Sequence, residues 1–419
     1  MFTAVIGGGA AGLMAAAAAA ASGSEVALLE KNEKLGKKIY ITGKGRCNVT
    51  NSCDFETFIR NVVRNPRFMY SSVSSFGPED LKAYIEENGT RLKVERGNRV
   101  FPVSDHASDI TKALFHACEK AGVSVMLESE VKSVQKTDNG FLLEILSKGR
   151  INKQKADRVI VCTGGLSYPS TGSTGDGYRF ASENRLTVKA CAPSLVSVIT
   201  KEDTAALAGV SLINTGLAVY PMKEGKRGRQ VFSDIGELVF THRGISGPMV
   251  LTASAVLSGK ISAETPFVFS VDLKPGLTDE QLDRRILRDL SEKPNMNTVN
   301  ALSGLLISGI REEVCGRAGI PDALKAHDLT KAQRNLLVQV IKRFEFTAVS
   351  TGGFEEAVIT NGGVDVKELN PATMESKKVP GLYFAGEVVD VDAMTGGFNL
   401  QCAFSMGRAA GKSAAEGSI

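Results

Sequence analysis

The stretch "FTAVIGGGAAGLMAAAAAAASGSEVALLEKN", residues 2 to 32, limits what this chain can fold into more than any other. Phe2 to Ile6 is an apolar run of strand length, and Gly7, Gly9 and Gly12 follow it in G-x-G-x-x-G spacing. The alanine-rich segment predicts a helix to about Ala21, Ser22-Gly23 ends it, and Glu25 to Glu30 reads as a second strand closing in an acid. In a turn of this kind the first glycine makes the tight bend, the second lets a pyrophosphate approach the backbone, and the third lets the helix pack on the strand. Ala10 and Ala11 are small enough to keep the helix N-terminus clear for phosphates. Glu30 stands where a carboxylate accepts the adenosine ribose hydroxyls, and an acid there favours FAD or NAD over NADP. The G-x-G-x-x-G pattern alone is weak evidence; here strand, turn, helix, strand and acid are all in register, so we read a dinucleotide site.

The other end of the chain chooses between FAD and NAD. "VPGLYFAGEVVDVDAMTGGFNLQCAFSMGRAAGKSAAEG", residues 379 to 417, predicts a strand from Leu382 to Ala385, the pair Gly386-Glu387, a loop, and a long helix from about Asn399. Flavoproteins with two dinucleotide folds place such a strand-Gly-acid element at the ribityl chain and pyrophosphate. A helix then points its N-terminus at the pyrimidine edge, where its positive end stabilises charge at N1/O2 of the reduced ring. Gly396 and Gly397 would leave room for that ring, with Phe398, Asn399 and Leu400 opening the helix. An ordinary amphipathic helix does not account for "TGGFN", so FAD is the expected cofactor. "ADRVIVCTGG", 156 to 165, supplies a strand that returns to the sheet and ends in Thr163-Gly164-Gly165 near the cofactor. No second Rossmann unit is legible, since "STGSTGDGY", 170 to 178, lacks the flanking strand order. NADH or NADPH, as electron donor, would therefore dock transiently at the flavin face.

"ITGKGRCNVTNSC", 41 to 53, is open to three readings: a redox cysteine pair, a nucleic-acid contact, or a clamp on the cofactor. Flavin disulfide reductases carry C-x4-C, whereas Cys47 and Cys53 are C-x5-C. The seven cysteines are irregularly spaced and the four histidines (106, 116, 242 and 327) are scattered, so neither a disulfide framework nor a metal site is expected. As a clamp, Gly43 and Gly45 allow close backbone approach and Arg46 meets a pyrophosphate or substrate phosphate. Asn48, Thr50 and Asn51 then offer donors and acceptors to the ring edge. Cys47 is either a packing residue or a proton donor. In "THRGISGP", 241 to 248, His242 is either part of a hydrogen-bonded structural turn or a residue of the active-site rim.

A net charge of +4 over 419 residues excludes a strongly basic protein whose charge alone would imply nucleic acid. Two local excesses stand out: Lys31, Lys34, Lys37, Lys38, Lys44 and Arg46 against Glu30 and Glu33, and "KEGKRGR", 223 to 229. Each is a solvated face or a phosphate-backbone footprint. Residues 1 to 24 carry no charged side chain, but they lack a basic leader and are broken by glycines, so the expectation is a cytoplasmic protein with no membrane association.

Taken together, "GKGRCNVTN", "THRGISGP", "FAGEVVDVDAMTGGFNLQ" and the G-x-G-x-x-G start resemble the BaiN/RdsA family of bacterial flavoproteins, also known as aminoacetone-oxidase-like proteins, and the resemblance runs from end to end. It implies an α/β fold: a Rossmann-like, two-dinucleotide-binding FAD domain interrupted by a β-barrel-like insertion and a small helical insertion. The expected boundaries are 1–190 with 357–419 for the FAD domain, 191–277 with 344–356 for the β-rich insert, and 278–343 for the helical insert. Short β-like runs after Ala190 agree with this plan. From Thr278 the period changes, and "DEQLDRRILRDLSE", "NALSGLLISGIREEVC" and "TKAQRNLLVQVIKRF" predict amphipathic helices, with Asp279 and Thr330 as caps. In this family the stretch after the second strand wraps the flavin. The expected cofactor set also takes in Lys31, Lys38, Val131 and Glu387, and the expected catalytic residues are Cys47, leading as proton donor, and His242.

A flavin without a redox disulfide leaves three classes. The resemblance implies a reductase in which NAD(P)H-reduced FAD gives hydride to a conjugated C=C bond, foremost uridine in 23S ribosomal RNA, forming dihydrouridine. Such a base must leave its stack, and the basic loops at 31 to 46 and 223 to 229 would hold the RNA backbone. The alternatives are a small-molecule enone or alkene reductase, an aminoacetone-type amine oxidase, and a non-catalytic FAD-containing RNA-binding protein.

Overall fold

A five-stranded parallel sheet forms around the first residues of the chain. In the computed structural model, which describes residues 1–416, Phe2–Ile6 pairs with Glu25–Leu29 on one side and Arg158–Val161 on the other. Leu382–Phe384 and Ser124–Met126 complete the two edges. All but the first residues of the central strands are buried, as a parallel sheet covered on both faces requires.

The helix Ala10–Ala21 is buried from Ala11 to Ala19 and has no polar face. Alanine is the best helix former, and its small side chain permits a very close neighbour. That neighbour is the C-terminal helix Phe398–Glu416, whose Gly407 and Gly411 lie so near that a Cβ on either would strike the carbonyl oxygen of Ala11 or Ala15. The alanine run is thus a packing surface for a second helix.

The described chain divides into two compact units, Met1–Ser194 with the chain from Gly353 onward, and Leu195–Gly352. Residues 191–194, expected in the β-rich insert, complete the strand Val188–Ser194, which pairs with Ile359–Val364 inside the first unit. Residues 417–419 of the expected FAD domain lie outside the described residues.

In the second unit, Ser211–Lys223, Phe232–Thr241, Gly244–Ser246, Val198–Thr200, Phe344–Thr351 and Phe267–Asp272 pair in that order, and the last pairs back to the first, closing a barrel. The helices Asp279–Ser291, Ser308–Arg317 and Lys331–Lys342 intervene between two barrel strands. Leu282, Ile286 and Leu337 share one buried core with Val219, Phe269 and Phe346, so barrel and helices form a single unit.

Two local expectations change. Thr278, not Asp279, caps the first of these helices: its Oγ1 accepts from Gln281 N at 3.2 Å while Gln281 Oε1 accepts from Thr278 N at 2.9 Å, a capping box that Thr330 and Gln333 repeat. The run from Asn300 to Cys315 is not one helix. It breaks at Leu302–Gly304 in a 3-10 turn, and Leu305 and Leu306 turn into the core before Ser308–Arg317 resumes.

Candidate cofactor and active site

Gly7 lies at φ +103°, and any Cβ there would press on the Cys162 carbonyl; one on Gly12 would fall on the Gly7 carbonyl oxygen. Gly9 differs, since a Cβ would meet nothing within 4 Å. The space above the turn is therefore open just where the helix Ala10–Ala21 begins, and its N-cap, Gly9, offers no side-chain oxygen to the first turn. Glu30 is buried beside it, with Oε2 accepting from Gly8 N at 2.7 Å and Oε1 from Asn32 N at 2.8 Å. The strand Ser129–Thr137, which carries Val131, starts against Glu30 through a 2.9 Å bond from Ser129 N to the Glu30 carbonyl.

The clamp stretch and the C-terminal helix meet in the same unit. Thr50 Oγ1 donates to Gln401 Oε1 at 2.6 Å, and Asn51 Nδ2 donates to the Gly396 carbonyl at 3.1 Å. Gln401 Nε2 in turn donates to the Phe76 carbonyl and to Ser405 Oγ, both at 3.1 Å. Gly397, at φ +99°, rests on the Thr50 backbone. Asn399 braces the preceding loop: its Oδ1 accepts from Ala393 N and its Nδ2 donates to the Ala393 carbonyl, each at 2.8 Å. Phe398 packs on Phe58, with ring centroids 5.3 Å apart, and Leu400 is half-buried.

Several expected ligands are already engaged. Arg46 pairs with Glu95 and Asp105 and lies over the Phe101 ring, 4.2 Å from its centroid, so its charge is answered by carboxylates and not left for a phosphate. Lys31 Nζ donates to Asp176 and Thr174, each at 2.7 Å. Lys38 pairs with Glu387, whose other oxygen accepts from Ser167 Oγ and from Thr360 N at 2.9 Å. Gly165 lies against this Thr360–Glu387 contact, Gly164 against Ser173, and Gly386 against Ala11. Gly45 is exposed at φ +85°.

Cys47 is wholly buried in the core of the first unit, and burial pushes its thiol up to about 12, with a Thr42 hydrogen bond opposing. That environment supports packing and argues against proton donation. His242 belongs to the second unit, exposed in the two-residue turn between Phe232–Thr241 and Gly244–Ser246. Its ring has no hydrogen-bond partner among the described residues, which removes the hydrogen-bonded turn as its explanation.

Asp392 was not foreseen. It lies buried in the loop before "TGGFN", with its carboxylate accepting from Ser194 Oγ at 2.7 Å and Asn361 Nδ2 at 3.2 Å. Burial pushes it up from 3.8 to about 6, against the pull of those hydrogen bonds and Arg64. The folded state therefore binds the proton more tightly than the unfolded chain. This contribution is fully present below about pH 4 and is lost as pH rises through about 6, about 3 kcal/mol in all. Asp392→Asn should remove that dependence. Chemical denaturation of the variant and the wild type at pH 5 and pH 8 measures it, and an unchanged difference between the two proteins would refute it.

The residues present fit FAD. Open space over Gly9, a helix N-terminus with no capping side chain, and a buried acid at the ribose position match its adenosine diphosphate half. Thr163 Oγ1 and Asn48 Oδ1 are buried without a hydrogen-bond partner among the described residues, as groups awaiting a polar ligand would be.

Comparison with known proteins adds to this. The HI0933-like protein Rossmann domain family matches residues 2–413. The chain is 32% identical over 386 residues to a ribosomal RNA dihydrouridine synthase of Haemophilus influenzae, spanning 91% of this chain and 90% of that protein. It is 31% identical to the Escherichia coli protein of the same description, over 92% and 90%. A 3-dehydro-bile acid delta(4,6)-reductase of Clostridium scindens is 32% identical over 94% of this chain and 93% of that one. Among solved structures, a 3-ketosteroid delta1-dehydrogenase from Sterolibacterium denitrificans superposes with a TM-score of 0.52 at 14% identity over 99% of both chains, a likeness of fold.

Proposed function

This chain belongs to the HI0933-like Rossmann family, and from that premise we propose that it is an FAD-dependent reductase of carbon–carbon double bonds conjugated to a carbonyl, with uridine in 23S ribosomal RNA as substrate. The observation that carries the reading is similarity over nine-tenths of both partners to two ribosomal RNA dihydrouridine synthases. Dihydrouridine differs from uridine by two hydrogens across C5=C6, so the chemistry is a hydride and a proton added to an enone-like bond. The equally similar bile-acid reductase favours a second reading, a small-molecule enone reductase. The amine oxidase has no such support.

The Gly7–Gly12 turn and the N-terminus of Ala10–Ala21 would bind the pyrophosphate, Glu30 the adenosine ribose, and Thr163 and Asn48 the polar edge of the remainder. FAD, held by these residues, would supply the two-electron, hydride-transfer chemistry, with NADH or NADPH as the electron donor. The helix Phe398–Glu416 would set its positive N-terminal end toward negative charge developing in the site. Thr50, Asn51 and Gln401 hold the clamp on that helix end. Ribosomal RNA as substrate would place the protein in the cytoplasm.

Mass spectrometry of nucleosides from 23S ribosomal RNA, in cells with and without the gene, tests the proposal. Dihydrouridine should vanish with the gene and return with an active copy. If it is unchanged, the RNA substrate is wrong and small enones are the next substrates to assay.

A further inference from the structure

In the second unit, the barrel strand Ser211–Lys223 turns back through Glu224-Gly225 into the short strand Lys226–Arg227, with Met222 opposite Arg227 and Lys223 opposite Lys226. Glu224 and Gly225 lie at φ 49° and 74°, as the central pair of a type I′ turn does. That turn matches the twist of the flanking strands and fixes their register. Two lysines are therefore held directly across a ribbon from each other, an arrangement in which like charges repel. Neither forms an ion pair among the described residues, and nor does Arg229; every residue from 223 to 230 is exposed. Arg227 alone is answered, by both carboxylate oxygens of Glu345 at 2.7 Å and by the Tyr220 ring at 4.7 Å.

The other basic stretch behaves differently. Lys31, Lys37, Lys38 and Arg46 are each paired with carboxylates of the chain itself. Of the first run only Lys34, which lies over the Tyr40 ring, and Lys44 lack a carboxylate partner among the described residues, whereas the second holds Lys223, Lys226 and Arg229 exposed without one, with Glu224 in the turn between the two lysines.

We infer that the hairpin tip from Lys223 to Arg229 is a docking point for RNA phosphates, with Lys223, Lys226 and Arg229 making the contacts. The inference rests on the ribosomal RNA reading above, because a small enone would need no such surface. A polyanion laid across the tip converts the Lys223–Lys226 repulsion into attraction for the ligand, and counterion release drives the association.

The test uses the full-length FAD-loaded protein and 23S ribosomal RNA from cells lacking the gene, with binding measured from about 0.05 to 0.4 M salt. In the triple variant Lys223→Gln, Lys226→Gln, Arg229→Gln, the slope of log affinity against log salt should shrink by about 2 to 3, at roughly 0.7–0.9 per lost phosphate contact. Affinity at about 0.1 M salt should fall about tenfold or more, with FAD content unchanged. Lys226→Glu should weaken RNA binding while raising the melting temperature, because the cross-strand pair becomes favourable. A purely structural tip would not separate those two effects. If the wild type binds with a steep slope and the triple variant matches it, the tip is not the contact and the ribosomal RNA reading stands. If the wild type shows no salt-dependent RNA binding, that reading fails and takes this inference with it. If the variant instead loses binding only to vesicles containing anionic phospholipid, the tip is a membrane contact and the inference is overturned.

Discussion

Alanine at Gly9 is expected to leave the fold intact and weaken FAD binding about 10- to 100-fold, while alanine at Gly12 should unfold the turn itself. The two positions are three residues apart in one motif, yet their surroundings differ. A Cβ on Gly9 meets no atom within 4 Å, so the protein loses nothing by carrying it, and only a ligand in that space would be displaced. A Cβ on Gly12 collides with the Gly7 carbonyl and stands 3.3 Å from the Cys162 side chain, so the helix must lift from the strand. That overpacking should cost about 3 kcal/mol. Thermal melts of the cofactor-free proteins and fluorescence titration with FAD separate the two effects. Wild-type FAD affinity in Gly9→Ala would refute the placement of the pyrophosphate.

The second large effect is expected at Gly397. At φ +99° any side chain is strained, and a Cβ there would be driven into the Thr50 backbone. The strand Thr50–Asn51 would be pushed from the C-terminal helix, breaking the buried Thr50–Gln401 bond and the Asn51–Gly396 bond together. Gly397→Ala should therefore cost about 3 kcal/mol or more. Gln401→Leu, with the backbone left alone, should cost about 1 to 2 kcal/mol by orphaning the buried Thr50 Oγ1, while the Phe76 carbonyl keeps its 2.7 Å bond from Ser405 Oγ. Denaturant unfolding measures both. If Gly397→Ala unfolds like the wild type, the clamp is not held on the helix.

The opening motif was legible because its logic is local. Strand, bend, helix and second strand are dictated by spacing within about thirty residues, and each glycine is required by a neighbour in the same segment or by the adjacent strand. The helix cap at Thr330 was readable for the same reason, and at the helix Asp279–Ser291 the error was one residue, Asp279 for Thr278. The clamp was legible in part: Thr50 and Asn51 stood out as polar residues following the Gly43 and Gly45 pair. Nothing in their own stretch announced Gln401 as the partner, although it closes the "GGFNLQ" run.

The fate of the charges lay beyond the sequence. Arg46 and Lys38 look alike as cations in a basic run, yet one is held by Glu95 and Asp105 and the other by Glu387, far along the chain. Cys47 became a core residue, and Asp392 a buried acid, through neighbours brought in from distant segments. The sequence by itself determined the Rossmann turn, the flavin-type C-terminal helix and the family, because backbone sterics and helix signals act between near neighbours. Only the tertiary structure decided which cations remain free, which thiol is silent and which hairpin carries uncompensated charge. Burial and Coulomb energy depend on distance through space, which no spacing along the chain encodes.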